Sequence, residues 1–219
     1  MAAACARSGR APDAAALVAI SKTVPAARLR LAQAAGYDVL GENRVQEAAA
    51  KIPLLGSAEW HLVGKLQKNK AGKAVELFDV VESVDSVALA ARLDRLVGER
   101  GSRGGGPLAI YLQVNVDADP AKAGFAPEAL ERELGELVAL PNVDVRGLMT
   151  VGFQTAGGDA ARPTFERLRQ LSERLRTAEP RLGAGLSMGM TDDFEVAIEE
   201  GSTLVRVGRA LFGERPAPA

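Results

Sequence analysis

Eight short apolar runs, each separated from the next by a stretch of helical spacing, constrain this chain more than any other feature. The runs are Leu17–Lys22, Tyr37–Asn43, Glu59–Gly64, Val80–Asp85, Leu108–Val116, Val143–Val151, Leu186–Met190 and Leu204–Gly208. Between them, sets such as Leu89, Leu93, Leu96 and Val97, or Leu130, Leu134, Leu137 and Val138, recur at the interval that puts apolar side chains on one helix face. Alternating strands and helices imply a parallel sheet, because parallel neighbours need a crossover. Eight such units in 219 residues sit near the lower end of the size range of a closed barrel, whereas an open doubly wound sheet more often has about six strands. The expected fold is α/β, a single (β/α)8 TIM-type barrel.

Composition narrows the chemistry. With 47% hydrophobic residues the chain can bury a substantial core, and a net charge of −1 offers no global attraction to nucleic acid or an anionic membrane. The single Cys5 and single His61 exclude a disulfide framework or a Cys/His metal cluster within one chain. No run reaches the ~18 apolar residues of a membrane span, and Met1–Ala16 lacks the continuous apolar core of a secretory signal. We expect a cytoplasmic monomer with no nucleic-acid or membrane partner. Residues 1–16 should be a partly helical or frayed segment, 17–215 the barrel and 216–219 a tail.

In such barrels the chemistry follows the strands. Lys22 ends the first run and is followed by the turn signal Thr23-Val24-Pro25, which delivers an amine to that face. Glu42 and Asn43 follow the second run, Ser83 and Asp85 the fourth, Asn115 and Asp117 the fifth. Phosphate in these barrels often binds after strands seven and eight. There, Ser187 and the segment Arg206-Val207-Gly208-Arg209 provide a hydroxyl, a glycine turn and the start of a short apolar helix. A strand-end lysine with a phosphate cradle points to a phosphate-bearing carbonyl compound captured as a Schiff base. Pyridoxal 5′-phosphate and sugar-phosphate aldehydes both qualify on spacing.

Ordered motifs then add a resemblance. Ala19-Ile20-Ser21-Lys22-Thr23, Gly41-Glu42-Asn43-Arg44-Val45-Gln46-Glu47, Trp60-His61-Leu62-Val63-Gly64, Gly147-Leu148-Met149-Thr150, Leu186-Ser187-Met188-Gly189-Met190-Thr191 and Arg206-Val207-Gly208 resemble the pyridoxal phosphate homeostasis protein family. The resemblance runs from about Leu17 to Arg215. It implies a barrel like the alanine racemase N-terminal domain, with pyridoxal 5′-phosphate on Lys22, Arg206 facing the pyridine nitrogen, and Ser187 with the amides around Gly208 and Arg209 holding the phosphate. Asn43 is expected beside the ring. Met149, near the mouth, is placed among the cofactor contacts, with core filling as its plainer role.

Arg206 beside the ring nitrogen would oppose its protonation and weaken the ring as an electron sink. Racemases with this arrangement recruit a second base from another domain, for which this sequence has no residues. The expected function is therefore non-catalytic: a carrier that buffers pyridoxal 5′-phosphate or delivers it to apo forms of the enzymes that use it. The alternatives are an amino-acid racemase using the same cofactor and a cofactor-free Schiff-base aldolase. Two departures from the family accompany this: only Met1–Ala16 precede the first strand, and Arg209 stands where a small hydroxyl residue is common.

Other features have plainer readings. His61 alternates into the barrel and is expected to make structural hydrogen bonds, while Trp60 packs. Lys65, Lys68, Lys70 and Lys73 read as a solvated face, and Thr191, Asp192 and Asp193 as a helix start. The Gly104-Gly105-Gly106 run precedes a strand and lacks the lysine of a phosphate loop, so it reads as a flexible connection.

Overall fold

The computed structural model describes residues 1–152 and 158–213. Eight strands form a closed parallel barrel in sequence order: β1 (Ala16–Ile20), β2 (Val39–Glu42), β3 (Glu59–Leu62), β4 (Val80–Val84), β5 (Leu108–Gln113), β6 (Val143–Met149), β7 (Gly185–Ser187) and β8 (Leu204–Val207). Closure comes from β1 pairing with β8, with Val18 opposite Arg206 and Ala19 opposite Val207. All eight expected runs are present. The strands stop short of the polar residues that follow most runs, because those residues turn the chain into loops at the C-terminal mouth.

Around the barrel lie α1 (Ala2–Arg7), α2 (Ala26–Ala34), α3 (Val45–Lys51), α4 (Ala71–Leu77), α5 (Val87–Arg100), α6 (Pro127–Leu137), α7 (Gly158–Ala178), α8 (Phe194–Glu199) and α9 (Arg209–Phe212). Their boundaries have local causes. Ser86 caps α5 by accepting from the Leu89 amide at 3.3 Å, and Gly101, at φ +77°, ends it in a conformation that favours glycine. Pro127 opens α6, where its missing N–H costs nothing.

Two apolar layers result from the two faces of the strands. The outer layer packs Leu40, Trp60, Leu62, Ile110 and Leu148 against helix residues such as Leu29, Leu93, Leu130 and Phe165. Each fully buried large side chain contributes roughly 1.5–3 kcal/mol. A smaller cluster of Val80, Ala109, Tyr111 and Met149 fills part of the interior. Gly147 shows how tightly β6 and β7 meet: a Cβ there would lie 1.9 Å from the Gly185 carbonyl oxygen.

The segment expected to be partly helical or frayed is helical over Ala2–Arg7 and docked. Ala4 and Cys5 pack with Ile198, Val205 and Val207, Arg7 pairs with Glu195 and Glu199 at 2.6 and 2.7 Å, and Arg10 donates to the Ile198 and Ser202 carbonyls. Alanine-rich composition hid this, since the apolar stripe is made of small side chains. The barrel boundary at 215 and the tail 216–219 lie outside the described residues.

Candidate active site at the barrel mouth

Lys22 follows β1 by two residues and sits in a turn closed by the Val24 amide donating to the Ser21 carbonyl at 2.9 Å. Thr23, at φ +64°, reverses the chain there. The turn is braced from below: the Ser21 hydroxyl donates to Glu42 at 2.8 Å and to the Gly41 carbonyl at 3.0 Å, while Lys51 Nζ donates to the Ser21 carbonyl at 2.7 Å and to Glu42 at 2.5 Å. Lys22 and Thr23 line a cavity of about 280 Å³ with Ile20, Gly208, Arg209 and Phe212. The strand-one lysine and the strand-eight glycine, 186 positions apart in sequence, therefore share one space.

Arg209, which lines the same cavity, pairs through its side chain with Asp192. This ion pair ties the loop after β7 to the start of α9 and leaves the Arg209 backbone N–H at the helix start. Asp193 takes the capping position of α8, yet its carboxylate accepts from the Met190 amide at 2.5 Å instead of capping the helix.

Arg206, on β8, is 5% exposed. Its Nη2 donates to the Thr150 carbonyl at 2.7 Å and its Nη1 to Ser187 Oγ at 2.5 Å. Ser187 in turn donates to Glu82 Oε2 at 2.5 Å, and Glu82 Oε1 meets His61 Nδ1 at 2.5 Å. Because β4 and β7 are not neighbours in the barrel, the Ser187–Glu82 bond spans the enclosed interior. Burial alone would keep Glu82 neutral, but the His61 hydrogen bond and the charges of His61 and Arg206 hold its carboxyl below the usual range. Burial lowers the Arg206 pKa, and the nearby Glu82 and Asp193 carboxylates counter this only in part.

Of the residues expected at the site, Lys22, Gly208 and Arg209 line one cavity, while Arg206 and Ser187 bond to each other in the barrel interior. Asn43 does not join that cavity. It lines a separate cleft of about 700 Å³ with Arg44, Gly64, Lys65, Gln67 and Lys70, held there by its chain neighbour Glu42, whose carboxylate accepts from the Asn43 amide at 3.1 Å. Met149 is 1% exposed and packs with Val80, Ala109 and Tyr111. Asn115 and Asp117 shape loops: Asn115 donates to the Asp119 carbonyl, and Asp117 accepts from Thr164 and Arg167. His61 makes the hydrogen bonds expected of it, and Trp60 is fully buried with its Nε1 lacking a partner.

Glu82 is the residue sequence reasoning passed over in favour of Ser83 and Asp85. The signal was available: an acid in the middle of Val80-Val81-Glu82-Ser83-Val84, every residue of which is buried, requires a partner.

Known proteins share this fold over nearly the whole chain. The family described as alanine racemase, N-terminal domain, matches residues 5–216. The pyridoxal phosphate homeostasis protein of Pseudomonas aeruginosa is 44% identical over 211 residues, which cover 95% of this chain and 88% of that protein. PipY of Synechococcus elongatus, solved with PLP bound, is 43% identical with a TM-score of 0.84, covering 97% of this chain and 99% of that one. Alanine racemase of Clostridium difficile, at 16% identity and a TM-score of 0.73, shares the fold over 94% of this chain and 53% of its own.

Proposed function

Because the chain belongs to the pyridoxal phosphate homeostasis proteins, within the alanine racemase N-terminal domain family, we propose that it holds pyridoxal 5′-phosphate on Lys22 and buffers or delivers the cofactor without turning over amino acids. The observation that carries this reading is the cavity that joins the Lys22 amine to the Gly208–Arg209 backbone. PipY, 43% identical over almost the whole chain, supports it, since that protein was solved with PLP bound.

The residues present fit the group. A Cβ on Gly208 would come within 3.3 Å of Ile20 Cβ, so glycine keeps open the space between the strand-eight amides and strand one. Lys22 would hold the group through its amine, the residue type suited to a carbonyl carbon. The cofactor, when bound, supplies an aldehyde and an electron-withdrawing pyridine ring. Arg206 would stand at the ring nitrogen; its contacts to Ser187 and Thr150 use only part of the guanidinium fork, which carries five N–H donors. As a cation it opposes protonation of that nitrogen, so the site favours retention over carbanion chemistry.

Phosphate would be held by the Gly208 and Arg209 amides. Ser187, expected to hold the phosphate, would instead support Arg206, because its hydroxyl is fully buried and engaged with Glu82 and Arg206. The next hydroxyl on that loop is Thr191, half-buried and adjacent to the Asp192 that pairs with Arg209. The recipients would be apo forms of pyridoxal phosphate enzymes, and the protein would act as a cytoplasmic monomer. Among the described residues, no helix is long and apolar enough to cross a membrane.

The test is spectroscopic. Protein loaded with pyridoxal 5′-phosphate should show a visible imine band that borohydride bleaches, with the pyridoxyl group found on Lys22 by mass analysis and absent from Lys22→Ala. Loaded protein should transfer cofactor to an apo-enzyme and racemise alanine no faster than free cofactor does. A label on another lysine would overturn the site. Racemisation at about 1 s⁻¹ or faster, an ordinary enzymatic rate, would overturn the carrier role.

A further inference from the structure

A line of charged and polar groups crosses the barrel from base to mouth. Glu59 opens β3 at the base, and its side chain is 53% exposed. Its carboxylate lies 3.1 Å from His61 Nε2; His61 Nδ1 lies 2.5 Å from Glu82, which accepts from Ser187, which accepts from Arg206. His61 is 3% exposed and Glu82 has no exposure, so solvent meets the line mainly at Glu59. With His61 protonated, the charged members alternate in sign: Glu59, His61, Glu82, Arg206. The contacts proposed for the cofactor do not require Glu59, His61 or Glu82, and a barrel interior filled by apolar side chains would be the simpler construction.

We propose that Glu82 and His61 are positioning residues for the cofactor, fixing the Arg206 guanidinium at the pyridine nitrogen and making cofactor binding sensitive to the proton on His61. This rests on the reading that Lys22 holds pyridoxal 5′-phosphate with Arg206 at the ring nitrogen. Burial opposes the His61 charge, but its hydrogen bonds and Coulombic attraction to Glu59 and Glu82 outweigh that and push its pKa up to about 9.

Other titratable groups face the line, among them Asp193, whose pKa burial raises. Tyr111 on β5 is pushed up to about 12, mainly by burial and then by Glu82. Asp144 and Arg146 on β6 pair with each other, and Asp193 lies near Arg206 from the loop after β7. Losing the His61 proton leaves the line with one net negative charge, which draws Arg206 towards Glu82, now 3.8 Å from Nη1, and away from the ring.

His61 is the only histidine in the chain, so one imidazole signal in proton–carbon correlation NMR reports its titration without assignment. By linkage, a tenfold change in cofactor affinity across that titration equals about one pH unit between the midpoints of free and loaded protein. We expect a midpoint near 9 and a measurable displacement on loading. Ser187→Ala, which removes the hydroxyl between Glu82 and Arg206 but leaves both charges in place, should weaken pyridoxal 5′-phosphate and pyridoxal alike, by about tenfold. Failure to label Lys22 in wild-type protein would sink the site reading on which this rests. With Lys22 labelled, an identical midpoint in free and loaded protein, or a Ser187→Ala loss confined to the phosphorylated ligand, would overturn the positioning role and leave the carrier reading intact.

Discussion

Glu42, at the end of β2, and Glu82, in the middle of β4, are both fully buried acids, and they do opposite things. Glu42 faces the helix layer, where Lys51 at the end of α3 reaches it; with Ser21 and the Asn43 amide the cluster closes on itself within 31 residues. Lys51 keeps 13% of its side chain in solvent. Glu82 faces the interior, and its partners come from β3, β7 and β8, all without a ready route to water. A buried carboxylate beside a partly exposed cation braces a loop. One between two enclosed cations connects distant parts of the molecule.

The strongest way to break that distinction is to neutralise each acid in turn. Glu82→Gln removes the carboxylate between His61 and Arg206, leaving His61 with Glu59 and Arg206 with the more distant Asp193, and should cost about 3–5 kcal/mol in urea unfolding. The same change at Glu42 should cost about 1–2 kcal/mol, because Lys51 retains the Ser21 carbonyl and can reach water. Equal losses would mean that the side of the sheet does not decide the outcome.

A second difference lies in pH. His61 has a folded pKa raised from 6.5 to about 9, so its stabilising contribution is complete below about pH 6.5 and disappears as pH rises through 9. Unfolding free energy of the cofactor-free protein should fall by on the order of 3 kcal/mol across that window. Glu82→Gln should flatten the fall and Glu42→Gln should leave it unchanged. A fall that survives Glu82→Gln would place its origin outside the interior line.

The smallest effect sharpens the local picture. Arg209→Ser removes the tie to Asp192 but keeps the backbone amide, so cofactor affinity should change by less than about tenfold at low salt and less at high salt, as expected for an exposed pair. A larger loss in equilibrium dialysis would mean that the side chain itself binds the cofactor.

Much of the fold was legible. Periodicity exposed all eight strands and the helices between them, and Pro25 after Lys22 marked where the amine leaves the sheet. That Lys22 and Gly208 stand directly after strands was legible, and they line one cavity. The surroundings of Asn43 and Ser187 were not: Asn43 lines a neighbouring cleft and the Ser187 hydroxyl bonds inside the barrel. At three residues, β7 is too short to display which face its side chains take. The docking of α1 was illegible for a related reason: its contacts are to α8 and β8, nearly two hundred positions away.

By itself the sequence determined that alternating strands and helices close as a barrel and that a lysine stands at the mouth, since both follow from local spacing and chain length. Only the tertiary structure decided which side chains meet across the enclosed space. The period of a strand assigns residues to two faces, but the register in which eight strands close sets who opposes whom. Glu82 and Ser187, 105 positions apart on strands that do not touch, become partners only through that closure.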